Sequence, residues 1–153
     1  MSLVIKKAKI SDSEFIYKLL YKFAEDKLLL PRSYNQIYEN IRDFFVCFED
    51  KKPVGCAALH IFWKDLAEIR SLAVEKEHQG KGIGKMLVKE CLNEAVDLGI
   101  NRVFALTNQV DFFKKSGFRE IEKEALPQKV WSDCLNCVKF PKCDEVCMLW
   151  QRI

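Results

Sequence analysis

The chain has 153 residues, 49% of them hydrophobic and 31% charged, with a formal net charge of +3. That composition fits an ordinary soluble globular protein, long enough to bury a core as one domain over 1–153 and too weakly charged to make a case for nucleic acid. No apolar run approaches the roughly 18–20 residues of a membrane span, and Met1–Lys7 lacks the apolar core of a signal peptide, so a cytoplasmic chain is expected. Seven cysteines in such a chain point to core thiols, metal or redox chemistry before disulfides.

Leu3-Val4-Ile5 opens a strand. Ser11 or Asp12 suits a helix N-cap, with Glu14 in the first turn and Phe15, Ile16, Leu19, Leu20 and Phe23 at helical spacing. That helix is expected to run to about Leu28, with Pro31 ending it. Ser33 caps a second, short helix through Tyr34, Ile37, Tyr38 and Ile41. Phe44–Phe48 reads as a strand, Glu49-Asp50-Lys51-Lys52 as a polar turn and Val54–Phe62 as the next strand, a hairpin. After Trp63-Lys64-Asp65 a third strand, Ala67–Val74, completes an antiparallel meander. The small residues Gly55-Cys56-Ala57-Ala58 mark close packing or a tight bend.

Gln79-Gly80-Lys81-Gly82-Ile83-Gly84 follows, and a long amphipathic helix runs from it to Leu98. The start of a helix leaves its first N–H groups unpaired and carries partial positive charge, while glycine lets a ligand approach the backbone. The junction therefore reads as a pyrophosphate cradle. Gly99 is a C-cap, Asn101–Leu106 a strand parallel to the one before the helix, Asn108–Ser116 a short helix ending at Gly117, and Phe118–Ile121 a strand. Leu126-Pro127 opens a loop, and Glu145–Trp150 reads as a last strand. The pattern is one α/β domain: a mixed, mostly antiparallel central sheet flanked by helices.

This order of elements resembles the GNAT acetyltransferase superfamily. Gln79–Gly84 matches its Gln/Arg-x-x-Gly-x-Gly/Ala signature, and Phe112-Phe113-Lys114-Lys115-Ser116-Gly117-Phe118 its second landmark, an aromatic followed by a Gly-Phe pair. A closer resemblance, over about residues 3–130, is to the acetyltransferase domain of the amino-acid acetyltransferases that make N-acetylglutamate for arginine synthesis. It rests on Leu29-Leu30-Pro31-Arg32-Ser33, Gly55-Cys56-Ala57-Ala58-Leu59, Ala67-Glu68-Ile69 with Leu72-Ala73-Val74, Phe104-Ala105-Leu106-Thr107 and Leu126-Pro127. The chain is expected to be a stand-alone form of that domain, without the kinase-like domain of the long enzymes.

The resemblance implies acetyl-CoA as cosubstrate and an amino acid, L-glutamate first, as acceptor. The backbone of Gln79, Gly80, Lys81, Gly82, Ile83 and Gly84 would hold the pyrophosphate. Leu72, Ala73 and Val74 would face the pantetheine arm, with Asn108 and Phe113 completing the cofactor side. Glu68 is the candidate general base; otherwise it is a surface carboxylate paired with Arg70 or Lys64. Thr107 is the candidate donor to the leaving sulfur, or else a cap for the helix that follows. Many relatives carry tyrosine where Phe113 stands, and phenylalanine has no proton to give. Arg32 would grip the acceptor carboxylate as a bidentate partner, with His60 and Arg70 as further acceptor-side candidates.

The tail departs from the long enzymes. Cys134, Cys137, Cys143 and Cys147 lie in or beside the cysteine-rich stretch 131–147. A structural zinc on Cys134, Cys137 and Cys143 is one reading, and a redox-labile pair or buried thiols without a ligand are the others. Small-molecule substrates are the expected partners, nucleic acid and membrane are not, and a homodimer stays open. An acceptor such as glutamine, another small amine or a protein amine is the alternative function, and a CoA-binding regulatory module without turnover is a third.

Overall fold

The computed structural model describes residues 2–126 and 145–152. Among these residues seven strands are hydrogen-bonded in the order β1-β2-β3-β4-β5-β7-β6. They are β1 (Leu3–Lys7), β2 (Phe44–Glu49), β3 (Lys52–Trp63), β4 (Leu66–Val74), β5 (Arg102–Thr107), β6 (Arg119–Ile121) and β7 (Val146–Gln151). Among the described residues four α-helices accompany them: α1 (Ser13–Glu25), α2 (Tyr34–Glu39), α3 (Ile83–Asp97) and α4 (Val110–Lys115). The chain divides into two compact units, one of residues 1–60 with 69–94, the other of residues 61–68 with 95–153.

In the first unit β1, β2 and β3 pair antiparallel. The β2–β3 hairpin turns through Asp50 and Lys51, both at positive φ (51° and 73°), the geometry of a turn that matches the strands' own twist. One face of this sheet carries Phe44, Val46, Cys56, Ala58 and Ala73 against Ile16, Leu19 and Leu20 of α1 and Ile37 of α2. The other face takes α3, whose Ile83 and Leu87 close on Gly55. A sheet covered on both faces explains why β2 and the middle of β3 are continuous apolar runs rather than alternating ones.

Helix α1 stops at Glu25, short of the expected Leu28, and Pro31 is not what stops it. Lys27 takes φ 58°, its N–H donates to the Ala24 carbonyl at 3.0 Å and the Leu28 N–H to the Phe23 carbonyl at 2.9 Å. That is a Schellman cap, which satisfies carbonyls the helix end would otherwise leave open. Ser33 caps α2 as expected, and its box is complete. Ser33 Oγ accepts from the Gln36 N–H at 3.1 Å, and Gln36 Oε1 accepts from the Ser33 N–H at 2.9 Å.

In the second unit β4 and β5 run parallel, with Ala67 opposite Val103 and Glu68 opposite Phe104. The last strand, β7, lies between β5 and β6, antiparallel to both. Phe62, Leu66, Phe104, Leu126, Cys147 and Leu149 form this unit's core, with Leu106 and Ile121 against it. Gly99 (φ 84°) and Gly117 (φ 92°) occupy the left-handed position that closes α3 and α4. Among the described residues no helix is long and apolar enough to cross a membrane.

Candidate functional site

The first unit builds the glycine turn as a rigid junction. Strand β4 runs unbroken but bends at Ser71, which is buried and takes φ 56°, a conformation that costs a non-glycine residue about 1–2 kcal/mol. The Cys56 thiol donates to the Ser71 carbonyl at 3.4 Å. The kink re-aims the last residues of the strand, leaving Leu72 half-buried and Ala73 and Val74 buried. Gln79 folds its side-chain amide back to donate to the Val74 carbonyl at 3.0 Å, tying the turn to the strand end.

Gly80 and Gly82 both hold positive φ (84° and 82°), and a Cβ on either would meet no atom within 4 Å. The backbone there faces open space. The Met86 N–H donates to the Gly82 carbonyl at 3.0 Å, so Gly82 caps α3 and the N–H groups of Ile83, Gly84 and Lys85 begin the helix. The first turn of α3 contains no acidic residue. Open backbone donors, two left-handed glycines and a first helical turn free of carboxylates are features that suit an anionic phosphate group.

Gly55 holds this helix start against the sheet. A Cβ at Gly55 would come within 3.1 Å of the Ala73 carbonyl oxygen and 3.4 Å of Ile83 and Leu87. The small-residue run on β3 is therefore a packing seat for the first two turns of α3. Beside the turn, Lys81 reaches Glu49 at 3.1 Å and His78 Nδ1 lies 3.0 Å from the same carboxylate. Glu49 and His78 were not among the residues expected from the sequence. Charged residues twenty-nine or more positions apart leave no local signal of such a meeting.

On the acceptor side of the expectations, Arg32 is half-buried in the segment between α1 and α2, one residue before the Ser33 cap. His60, on β3, has its Nδ1 2.8 Å from Asp43 Oδ2, with the side chains 30% and 25% exposed. The carboxylate orients the imidazole by holding one ring nitrogen. Arg70 is half-buried on β4.

In the second unit Glu68 is half-buried on β4, and Thr107 ends the neighbouring β5. Thr107 Oγ1 accepts from the Gln109 N–H at 2.8 Å. The hydroxyl closes a turn just ahead of α4, whose N-cap is Gln109, and it does so as an acceptor, which leaves its own O–H to donate. Asn108 is exposed. Phe113 is 4% exposed, its ring edge-on to Phe112 and Phe118 at centroid distances of 5.1 and 5.0 Å. Its ring is taken up by packing between helix and strand.

Cys47, Cys56, Cys91 and Cys147 are buried thiols. Burial pushes the Cys56 thiol up to about 12 and moves Cys91 and Cys47 in the same direction. Thiols so shifted are poor nucleophiles and poor ligands. No cluster of metal-binding side chains occurs among the described residues. Cys134, Cys137 and Cys143 lie outside them, as do Pro127, Lys129, Lys139 and Lys142.

A sequence profile of the acetyltransferase (GNAT) family matches residues 13–118. An uncharacterized N-acetyltransferase of Chlorobaculum tepidum is 43% identical over 145 residues, 95% of this chain and 94% of that protein. An amino-acid acetyltransferase of Mycobacterium tuberculosis is 38% identical over 133 residues, 85% of this chain and 76% of that one. Among solved structures, N-acetylglutamate synthase from Neisseria gonorrhoeae complexed with coenzyme A and N-acetyl-glutamate superposes with a TM-score of 0.91 at 28% identity, over 100% of this chain and 36% of that one.

Proposed function

Because the chain belongs to the GNAT acetyltransferase family, we propose that its acceptor is the α-amino group of an amino acid, L-glutamate above others, and that the product feeds arginine biosynthesis in the cytoplasm. It is an acetyl-CoA-dependent N-acetyltransferase of GNAT fold. The observation that carries the reading is the glycine turn at the start of α3, with Gly80 and Gly82 left-handed and open to solvent. The acceptor rests on the M. tuberculosis and N. gonorrhoeae relatives and on Arg32.

In this reading the backbone of Gln79–Gly84 binds the pyrophosphate of acetyl-CoA, and backbone groups of Leu72–Val74 orient its pantetheine arm. Asn108 and Phe113 are the further cofactor-side candidates. Arg32 pairs with an acceptor carboxylate, helped by Arg70 and by His60, whose ring Asp43 orients. Glu68 takes the proton that the ammonium must lose before it attacks. The amine nitrogen then bonds to the acetyl carbonyl carbon, the carbon–sulfur bond breaks, and the second proton, shed by the acylated nitrogen, passes to the departing thiolate. The Thr107 O–H donates to the departing sulfur, already a good leaving group for a thiol of ordinary pKa near ~8.5.

The test is product formation from acetyl-CoA with a panel of amino acids, read as thiol release and as N-acetyl product. Glutamate is expected to give the highest kcat/KM. If glutamate is acetylated no faster than glycine, the acceptor assignment fails while the transferase stands. Thiol release at the hydrolysis background with every acceptor, amines and peptides included, would leave a CoA-binding protein without turnover.

A further inference from the structure

The segment that carries Arg32 has no regular structure between Asp26 and Ser33, yet it is fixed at both ends. At its start, the Schellman cap at Lys27 anchors it to α1. At its end, the Ser33 N–H donates to Gln36 Oε1 at 2.9 Å. That N–H belongs to the peptide group joining Arg32 to Ser33, so the bond fixes the plane that sets the backbone on the far side of Arg32. The next residue, Tyr34, lays its ring on Tyr17 of α1, with centroids 4.1 Å apart and planes 8° from parallel. Tyr21 and Tyr38 extend the stack at each end, at 6.1 and 5.9 Å.

The ring stack lies at the edge of the core, with Tyr17 packed against it. Tyr17 and Tyr34 are half-buried, and Tyr21 and Tyr38 are exposed. Its geometric effect is to lock the first turn of α2 onto the middle of α1, two residues from Arg32. A guanidinium that must meet a carboxylate with both of its N–H groups needs its backbone held, because misplacement by about 1 Å is costly.

We propose that Tyr17 and Gln36 are positioning residues for acceptor binding: Tyr17 through its stack on Tyr34, and Gln36 through the Ser33 amide, together hold Arg32 where it meets the acceptor carboxylate. The inference rests on the reading of Arg32 given above. In this reading both act through Arg32 and not on the acceptor itself.

The experiment measures kcat and both KM values, for acetyl-CoA and for the amino acid with the highest kcat/KM, in Tyr17→Ala, Tyr17→Phe, Gln36→Ala and Arg32→Ala. Tyr17→Ala and Gln36→Ala are expected to raise the acceptor KM about tenfold with kcat and the acetyl-CoA KM within about twofold of the parent. Tyr17→Phe keeps the ring and is expected to match the parent. Amide hydrogen exchange at Ser33 is expected to quicken in Gln36→Ala. If Arg32→Ala raises the acceptor KM and the other two variants leave it unchanged, the positioning role is overturned and Arg32 keeps its role. If Arg32→Ala leaves it unchanged, both fall. A parallel rise of both KM values in Tyr17→Ala overturns the role of the stack, and should that variant not fold, exposed Gln36→Ala decides the question.

Discussion

Lys27 holds at the end of α1 the left-handed conformation that Gly99 and Gly117 hold at the ends of α3 and α4. The cap is the same in all three, so the difference is the cost of a Cβ in that conformation. Lys27→Gly is expected to stabilise the protein by about 0.5–1 kcal/mol after the added freedom of the unfolded chain is subtracted, visible as a rise in Tm of a few degrees. Thr107 offers a second residue-scale test. Thr107→Val removes both the acceptor for the Gln109 amide and the O–H, and is expected to lower kcat roughly tenfold with the acetyl-CoA KM little changed, whereas Thr107→Ser retains activity. Glycine caps were legible in the sequence because glycine is the usual residue for that conformation. The lysine cap was not, since nothing in a lysine announces a positive φ, and the helix was read three residues too long for that reason. The same limit hid Asp43 beside His60 and Glu49 beside Lys81, pairs made by folding and not by spacing.

Helix α3 and its seat on β3 set the precision of the glycine turn. The Ala73 carbonyl 3.1 Å from a Cβ on Gly55 is strand backbone and has little freedom to give way. Gly55→Ala is expected to cost about 1–3 kcal/mol and to raise the acetyl-CoA KM, because the backbone it displaces, at Ala73, belongs to the strand end that leads into the glycine turn. Denaturant unfolding and steady-state kinetics read the two effects separately. Gly99→Ala, at the far end of α3, carries a strain of its own but is expected to leave that KM alone. The strand–turn–helix unit was legible because its signals are local: periodicity, a glycine cluster and a cap. The kink at Ser71 was not, since a serine in a strand carries no mark of φ 56°.

At the scale of the molecule, the buried thiols make stability fall in alkali. Cys56 holds its proton in the folded chain up to about 12, while in the unfolded chain it titrates near its ordinary 9.0. Between those values the folded state binds more protons, so unfolding free energy declines as pH rises, by up to about 1.4 kcal/mol per pH unit for each such thiol. Cys91 acts in the same direction. Denaturation midpoints are expected to be flat with respect to these groups below pH 9 and to drop above it, with a shallower drop in Cys56→Ala. The parallel pair β4–β5 was foreseen from the strand–helix–strand rhythm, but the place of β7 was not, because a strand's own pattern does not name its neighbours. That placement has a consequence for the order in which the chain is made. Strands β5 and β6 are both synthesised before the strand that lies between them, Val146–Gln151. A ribosome that has not yet delivered those residues holds a nascent chain with two unpaired strand edges, so this half of the sheet closes last, however early its first strand emerges.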